Sequence, residues 1–191
     1  MAEGERLQHQ TWSKDHYHIS TDAALLPVAK INQAFASSDV YWALPMPEAV
    51  LRETLQRSLC FGLYDMHVKK GAPDEVDAGD AIESREKEDM ELVGFARCVT
   101  DYTTFVYLTD VYFWPAHQGR GLGKWLIMCV QEVIESMPYL RRSMLFTSGW
   151  ERLVPMYRAL MGMELIGSAD GAGAVGAAVM QRKGEGFPKD L

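Results

Sequence analysis

The chain has few cysteines, no long apolar run and no excess of basic residues, and each absence excludes a class of protein. Cys60, Cys98 and Cys129 lie far apart inside apolar segments, which is typical of buried free thiols in a reducing compartment and argues against a disulfide framework. No segment is long and apolar enough to span a membrane. Residues 1–10 are polar and lack the apolar core of a signal peptide. We therefore expect a cytoplasmic protein without a membrane partner.

The charge balance and the length further limit the classes of protein that fit the sequence. There are 19 basic against 26 acidic residues, a formal net charge of −7, which argues against a general nucleic-acid binder. With 191 residues, 48% of them hydrophobic, the chain suits one domain with a substantial core. We predict a polar tail over residues 1–14 and a single domain over residues 15–185, and we leave a homodimer open.

Apolar periodicity predicts the order strand, two helices, three strands, helix, strand, helix and two strands, which is a mixed α/β domain. The second and third strands, near residues 60–65 and 92–101, flank a segment rich in Asp, Glu, Gly and Lys. That segment has no apolar periodicity, so we interpret residues 66–91 as a mobile acidic loop. A closing hairpin is predicted from residues 163–167 and 175–181.

A glycine-rich turn lies between an apolar strand and an amphipathic helix. Residues 118–123 read Gln-Gly-Arg-Gly-Leu-Gly, and the apolar helical spacing that follows ends at Pro138. Backbone N–H groups and the positive end of a helix dipole at such a turn favour a phosphate group. The P-loop fits poorly because Lys124 is followed by Trp125 rather than Ser or Thr. The dinucleotide-binding fingerprint, Gly-x-Gly-x-x-Gly, follows the first strand of a βαβ unit. It also fits poorly, because this turn has the spacing Gly119-x-Gly121-x-Gly123 and lies past the middle of the chain.

The pattern Gln118-x-x-Gly121-x-Gly123, after a long strand and Pro115, resembles motif A of the GNAT superfamily of acetyl-CoA-dependent N-acetyltransferases. The element order resembles that fold over nearly the whole chain. The resemblance implies a central, twisted, mostly antiparallel sheet flanked by helices, with acetyl-CoA as co-substrate and no metal. It implies that acetyl-CoA binds at Val111, Tyr112 and Phe113 along the strand, and at Gln118, Gly119, Arg120, Gly121, Leu122, Gly123 and Lys124 in the turn.

Acetyl transfer to an amine requires a donor to the carbonyl oxygen, a neutral amine and a proton for the departing thiolate. The resemblance implies a tyrosine on the following helix as the acid, and Tyr157 matches it, although one extra residue precedes Gly162. Asp110 interrupts an apolar strand, so it either holds or deprotonates the amine or makes a structural hydrogen bond to a neighbouring loop.

Three aromatic residues are candidates for the acceptor pocket. Tyr41 and Trp42 precede the second helix, and Tyr107 lies three positions before Asp110. Ordinary core packing is the alternative for at least one of Tyr41 and Trp42. His16 and His18 would share one face of a strand, but no third metal ligand is evident.

The sequence therefore predicts an acyl-CoA N-acyltransferase that moves the acetyl group of acetyl-CoA to a small primary amine in a ternary complex. A protein lysine or an N-terminal amine is the alternative acceptor. A catalytically silent acyl-CoA-binding module, and a partner-binding domain that uses the acidic segment 74–91, are alternatives of other classes.

Overall fold

The computed structural model describes residues 3–66, 90–168 and 176–188. Its strands are β1 Thr11–Lys14, β2 Tyr17–Ser20, β3 Leu59–Asp65, β4 Glu91–Thr100, β5 Phe105–Phe113, β6 Arg142–Thr147, β7 Glu164–Ser168 and β8 Ala178–Lys183. They form one eight-stranded sheet in the order β1-β2-β3-β4-β5-β6-β8-β7. Only β5 and β6 are parallel within this sheet of described strands. The prediction of a mixed α/β fold with a mostly antiparallel sheet is confirmed.

The helices cover both faces of the sheet. They are α1 Glu3–Leu7, α2 Val28–Phe35, α3 Glu48–Gln56, α4 Leu122–Glu135 and α5 Leu153–Met161. Side chains such as Ile31 of α2 and Leu55 of α3 pack these helices against one face, over β3 and β4. Side chains such as Leu126 and Val130 pack α4 and α5 against the other face. No helix in the described part of the chain is long and apolar enough to cross a membrane.

The predicted polar tail is wrong for residues 3–14, because they form α1 and β1, and β1 pairs with β2. Leu7 is 1% exposed, and its carbonyl accepts the Thr21 hydroxyl at 2.8 Å. The Trp12 indole donates to Glu132 of α4 at 3.1 Å and stacks on Phe61 of β3. Leu7 and Trp12 are too isolated to produce a periodic pattern in the sequence, yet they bury enough apolar surface to hold residues 3–14 against the domain.

Two predicted loops fall largely outside the described residues. The predicted acidic loop 66–91 includes residues 67–89, which are not described, and β4 already begins at Glu91. The predicted closing hairpin is present as β7 and β8, which pair antiparallel, but residues 169–175 between them are not described. Pro155 lies in the first turn of α5, where its missing N–H breaks no helical hydrogen bond.

Candidate active site

The parallel strands β5 and β6 separate before β5 ends. Residues 105–108 pair with residues 142–145, whereas residues 109–113 continue β5 beside β4 without a β6 partner. An unpaired strand edge offers backbone N–H and C=O groups to an extended ligand. The split opens at the carboxyl ends of both strands, which is where open α/β sheets bind ligands.

A β-bulge in β5 lies at the start of this split. The register of the β4–β5 ladder shifts between Phe95 and Arg97, so β5 carries one extra residue there. Asp110 in the bulge has φ of 50°, a left-handed conformation that Asp tolerates better than most residues. Bulges bend a strand and re-aim it, and they are frequent beside active sites.

The glycine turn follows β5 and opens α4. Gly119 and Gly121 have φ of 79° and 77°, and a Cβ built on either would meet no atom within 4 Å. The left-handed backbone, rather than a lack of space, therefore requires glycine. Trp125 donates its N–H to the Gly121 carbonyl at 3.2 Å, so the N–H groups before Trp125 stand outside the helical ladder and can bind an anion.

Two polar side chains of the turn hold it against the sheet. Gln118 donates its side-chain amide to the Phe113 carbonyl at 2.9 Å. Arg120 donates to the Tyr17 hydroxyl at 2.9 Å and to the Ala116 carbonyl at 3.4 Å. Because these groups are engaged within the protein, they fix the turn to β5 and β2 and leave its backbone N–H groups as the candidate anion-binding element.

A cleft of about 480 Å³ joins the glycine turn, the strand split and α5. Arg120, Asp110 and Tyr107 are absent from its described lining, whereas the other predicted site residues contribute to it. Those residues are Tyr41, Trp42, Val111, Tyr112, Phe113, Gln118, Gly119, Gly121, Leu122, Gly123, Lys124 and Tyr157. Their convergence on one cavity places an anion-binding turn, a free strand edge and a phenol within reach of a single ligand.

Tyr157 contributes a buried phenol to the cleft from α5. Its side chain is largely buried, and this burial raises its pKa to about 12, so the hydroxyl stays protonated at neutral pH. Gly162 ends α5 in a left-handed conformation, as C-terminal glycines commonly do. The extra residue before Gly162 therefore only lengthens the last turn of the helix and leaves Tyr157 on the cleft.

Asp110 has a partner outside the cleft. Arg97 Nε donates to its Oδ2 at 2.7 Å, and the same guanidinium donates to Ser58 Oγ at 3.2 Å. The side chains of Arg97 and Asp110 are 18% and 8% exposed. The carboxylate of Asp110 therefore pairs with the neighbouring strand β4 rather than with a loop, and its predicted role toward the amine stays a prediction.

The three aromatic candidates separate into two groups. Tyr107 packs its ring against Phe146, with 5.4 Å between the ring centroids, and neither residue lines the cleft. Tyr41 and Trp42 line it from the loop between α2 and α3, and their rings meet edge to face at 5.1 Å. The Tyr41 hydroxyl hydrogen-bonds Ser148 just after β6, so this contact joins two of the segments that line the cleft.

The histidines and cysteines take other positions. His16 Nε2 lies 3.9 Å from Asp65, and a ring nitrogen of His18 lies 3.1 Å from the Ser13 hydroxyl. Among the described residues no group of three or more His, Cys, Asp or Glu could hold a metal. The three cysteines are free and buried, and burial raises the pKa of Cys129 to about 12, which disfavours a nucleophilic thiolate.

Several residues of the cleft escaped the sequence analysis. Asp39, Ser148, Gly149, Arg152 and Met156 also line it. Ser148 and Gly149 directly follow β6, and a position just beyond the carboxyl end of a parallel strand is the clue that could have identified them. Asp39 and Arg152 lie outside any periodic pattern, so only the three-dimensional structure brings them to the cleft.

Comparisons with known proteins agree with this geometry. The model of the acetyltransferase (GNAT) family matches residues 62–163. A Gibberella zeae protein with a provisional acetyltransferase name is 38% identical over 175 residues, which are 92% of this chain and 94% of that protein. A crystal structure from Xanthomonas campestris pv. campestris, provisionally named a GNAT-family acetyltransferase, is 32% identical with a TM-score of 0.54 and covers 76% of this chain and 84% of its own.

A more distant structure shares the fold. A phosphinothricin acetyltransferase from Sinorhizobium meliloti, crystallised with acetyl-CoA, is 19% identical with a TM-score of 0.58. The match covers 90% of this chain and 91% of that one. The likeness in fold thus extends over nearly the whole molecule.

Proposed function

The chain belongs to the acetyltransferase (GNAT) family and is an N-acetyltransferase, and we propose that it moves the acetyl group of acetyl-CoA directly to a small primary amine in a ternary complex. The observation that carries this proposal is the single cleft that runs from the glycine turn past the free edge of β5 to Tyr157 and the Tyr41–Ser148 bridge. One cavity that holds both substrates side by side suits direct transfer.

The residues of the cleft fit acetyl-CoA at two places. The N–H groups around Gly119, Gly121 and the first turn of α4 would hold the diphosphate, because the left-handed glycines leave the backbone uncovered. The free edge of β5 over residues 111–113 would pair with the amide groups of the pantetheine arm. Bound acetyl-CoA supplies the activated thioester carbonyl that the amine attacks.

Two groups of the chain would assist the transfer. A backbone N–H within residues 111–113 would donate to the carbonyl oxygen as negative charge develops there. Tyr157 would donate its proton to the departing thiolate, because its side chain lines the cleft and its hydroxyl is protonated at neutral pH. The amine attacks in its neutral form, so its ammonium proton passes to solvent beforehand, and the proton it loses on acylation can restore the phenol.

The acceptor end of the cleft favours a small molecule. Tyr41 and Ser148 come from two separate segments that both line the cleft, and a hydrogen bond joins them. Such a connection would narrow the access of a bulky acceptor. Asp39 and Trp42 line the cleft close to Tyr41 in the chain, and a carboxylate with an aromatic ring suits a cationic amine. A protein side chain would have to enter past this bridge.

The experiment is a thiol-release assay with acetyl-CoA and two panels, one of small primary amines and one of peptides with a lysine or a free N-terminus. We expect release with small amines. Tyr157→Phe should abolish most of it, whereas Tyr139→Phe, at an exposed residue outside the cleft lining, should not. Release with peptides alone would refute the small acceptor, and tight CoA binding without release on either panel would support a silent binding module.

A further inference from the structure

We infer that the buried ion pair of Arg97 and Asp110 is a positioning device that fixes the β5 bulge and thereby aims the backbone N–H groups of residues 111–113 at the thioester carbonyl. The inference rests on the proposed function in one respect, namely that these N–H groups are the donors. It assigns Asp110 a role in the reaction without contact to the amine.

The backbone of Asp110 calls for such a device. The non-glycine residues with positive φ in the described part of the chain are Asp15, Tyr102 and Asp110. Asp15 and Tyr102 lie in turns between strands, whereas Asp110 lies inside a strand. A left-handed residue within a ladder persists only when its surroundings determine it, so its side-chain contacts should supply the restraint.

The contacts form a chain across three elements. The backbone carbonyl of Thr54 in α3 accepts a hydrogen bond from the Ser58 hydroxyl at 2.8 Å. Ser58 Oγ in turn accepts a guanidinium N–H of Arg97 at 3.2 Å. Arg97 of β4 then donates to Asp110 of β5 at 2.7 Å, and the Thr109 hydroxyl lies 3.4 Å from the other carboxylate oxygen. The bulge is thereby tied to the adjacent strand and to the end of a helix.

Burial makes this connection rigid. Both side chains are withdrawn from solvent, where an unpaired charge is strongly unfavourable. Asp110 therefore stays close to Arg97, and the register shift of the ladder stays at this residue. Because Val111, Tyr112 and Phe113 follow immediately and line the cleft, the pair fixes the direction in which their backbone enters it.

The kinetic consequence differs from a simple loss of stability. A preorganised donor acts mainly on the transition state, and a small displacement of reacting groups can lower turnover about 100-fold. We expect Arg97→Met and Asp110→Asn each to lower kcat by roughly 10- to 100-fold. The KM for acetyl-CoA should rise by a smaller factor than kcat falls, since the glycine turn that would hold the diphosphate is untouched and only the pairing of residues 111–113 with the pantetheine arm is weakened.

The double variant R97M/D110N separates positioning from stability. Arg97→Met alone leaves a buried carboxylate without its counter-charge and should lower Tm, whereas the double variant removes both charges and should recover much of Tm. Asn tolerates the left-handed conformation, so no new backbone strain is introduced. We expect kcat to remain low in the double variant. Recovery of kcat together with Tm would overturn the inference.

Leu55→Ala provides a control for destabilisation alone. Leu55 is buried on α3, 2% exposed, and belongs to the core under the same sheet face. Its truncation should lower Tm by opening a cavity while kcat at a temperature well below Tm stays within about twofold of wild type. A loss of kcat equal to that of R97M/D110N would show that instability explains both.

An infrared measurement tests the inference independently of the acceptor. Acetyl-CoA labelled with ¹³C at the thioester carbonyl is added to wild type and to R97M/D110N, with calorimetry to confirm binding. A well-placed N–H donor lowers the carbonyl stretching frequency, so the band should lie lower in wild type than in the double variant. Identical bands overturn the inference, whereas failure of the proposed small acceptor appears only as absent thiol release with small amines.

Discussion

Gly121→Ala isolates the backbone requirement of the turn that we propose binds the diphosphate of CoA. Gly121 has φ of 77°, and the added methyl group would meet no atom within 4 Å. The substitution therefore introduces no clash, and its cost is the left-handed conformation itself, roughly 1–2 kcal/mol for an L-residue. The turn is held by Gln118 and Arg120, so we expect it to resist a change of conformation.

The same free energy must appear in one of two measurements. If the turn keeps its conformation, the free energy of unfolding falls by about 1–2 kcal/mol. If the turn relaxes, stability is retained but the N–H groups lose their direction, and CoA affinity falls by roughly 5- to 30-fold, the equivalent of that energy. Urea unfolding and calorimetric titration with CoA, done on one preparation, should give losses that add to this value.

Gly123→Ala is the matched control, since Gly123 is the next glycine of the pattern. It lies in α4 and its φ is not positive, so Ala gains up to about 1 kcal/mol of helix propensity. Its Cβ would lie 3.4 Å from the Phe113 ring, which offsets part of this gain. Stability should stay equal or rise. If Gly121→Ala changes neither quantity, or if both variants lose stability alike, the reasoning about the turn is refuted.

Three further predictions concern the cleft and the pH dependence. Tyr157→Phe should lower kcat about 100-fold with CoA affinity unchanged in calorimetry; equal turnover would remove it from the mechanism. Ser148→Ala removes the bridge to Tyr41 and should raise the KM of the best amine several-fold, about the effect of one hydrogen bond; an unchanged KM would contradict the acceptor site. Burial raises the pKa of Cys60 and Tyr157 to about 12 from 9.0 and 10.0, so the unfolded chain releases these protons first. Stability in urea should thus be level near pH 7 and fall as pH rises from 9 toward 12, and a rise over that window would show the opposite sign.

The turn and α4 could be predicted because their causes are local. The stripe that includes Leu126 and Val130 fixes the helix, and both residues are buried in the core. Within the turn, the left-handed φ that favours glycine is needed at Gly119 and Gly121. Neither argument depends on where the rest of the chain lies, so a pattern within about 20 residues is sufficient.

The split between β5 and β6 could be expected only from resemblance. Where two strands stop pairing depends on their register and on what packs beneath each of them, and these contacts join distant parts of the chain. Residues 109–113 and 146–147 read as ordinary strand in the sequence. Ser148 and Arg152 gain their place in the cleft from this geometry, and so no local pattern indicated them.

Asp110 shows that a charged residue in an apolar strand indicates only that the charge requires a polar partner, and it does not by itself indicate a functional role. A buried carboxylate requires a hydrogen-bonding or charged partner, and a polar substrate site or a salt bridge can each provide one. The deciding information is Arg97, which lies on the neighbouring antiparallel strand close to the register position of Asp110. A strand pairing predicted together with its charges would have assigned the carboxylate to Arg97 first. The functional groups predicted for the cleft would then have been the backbone after the bulge and Tyr157.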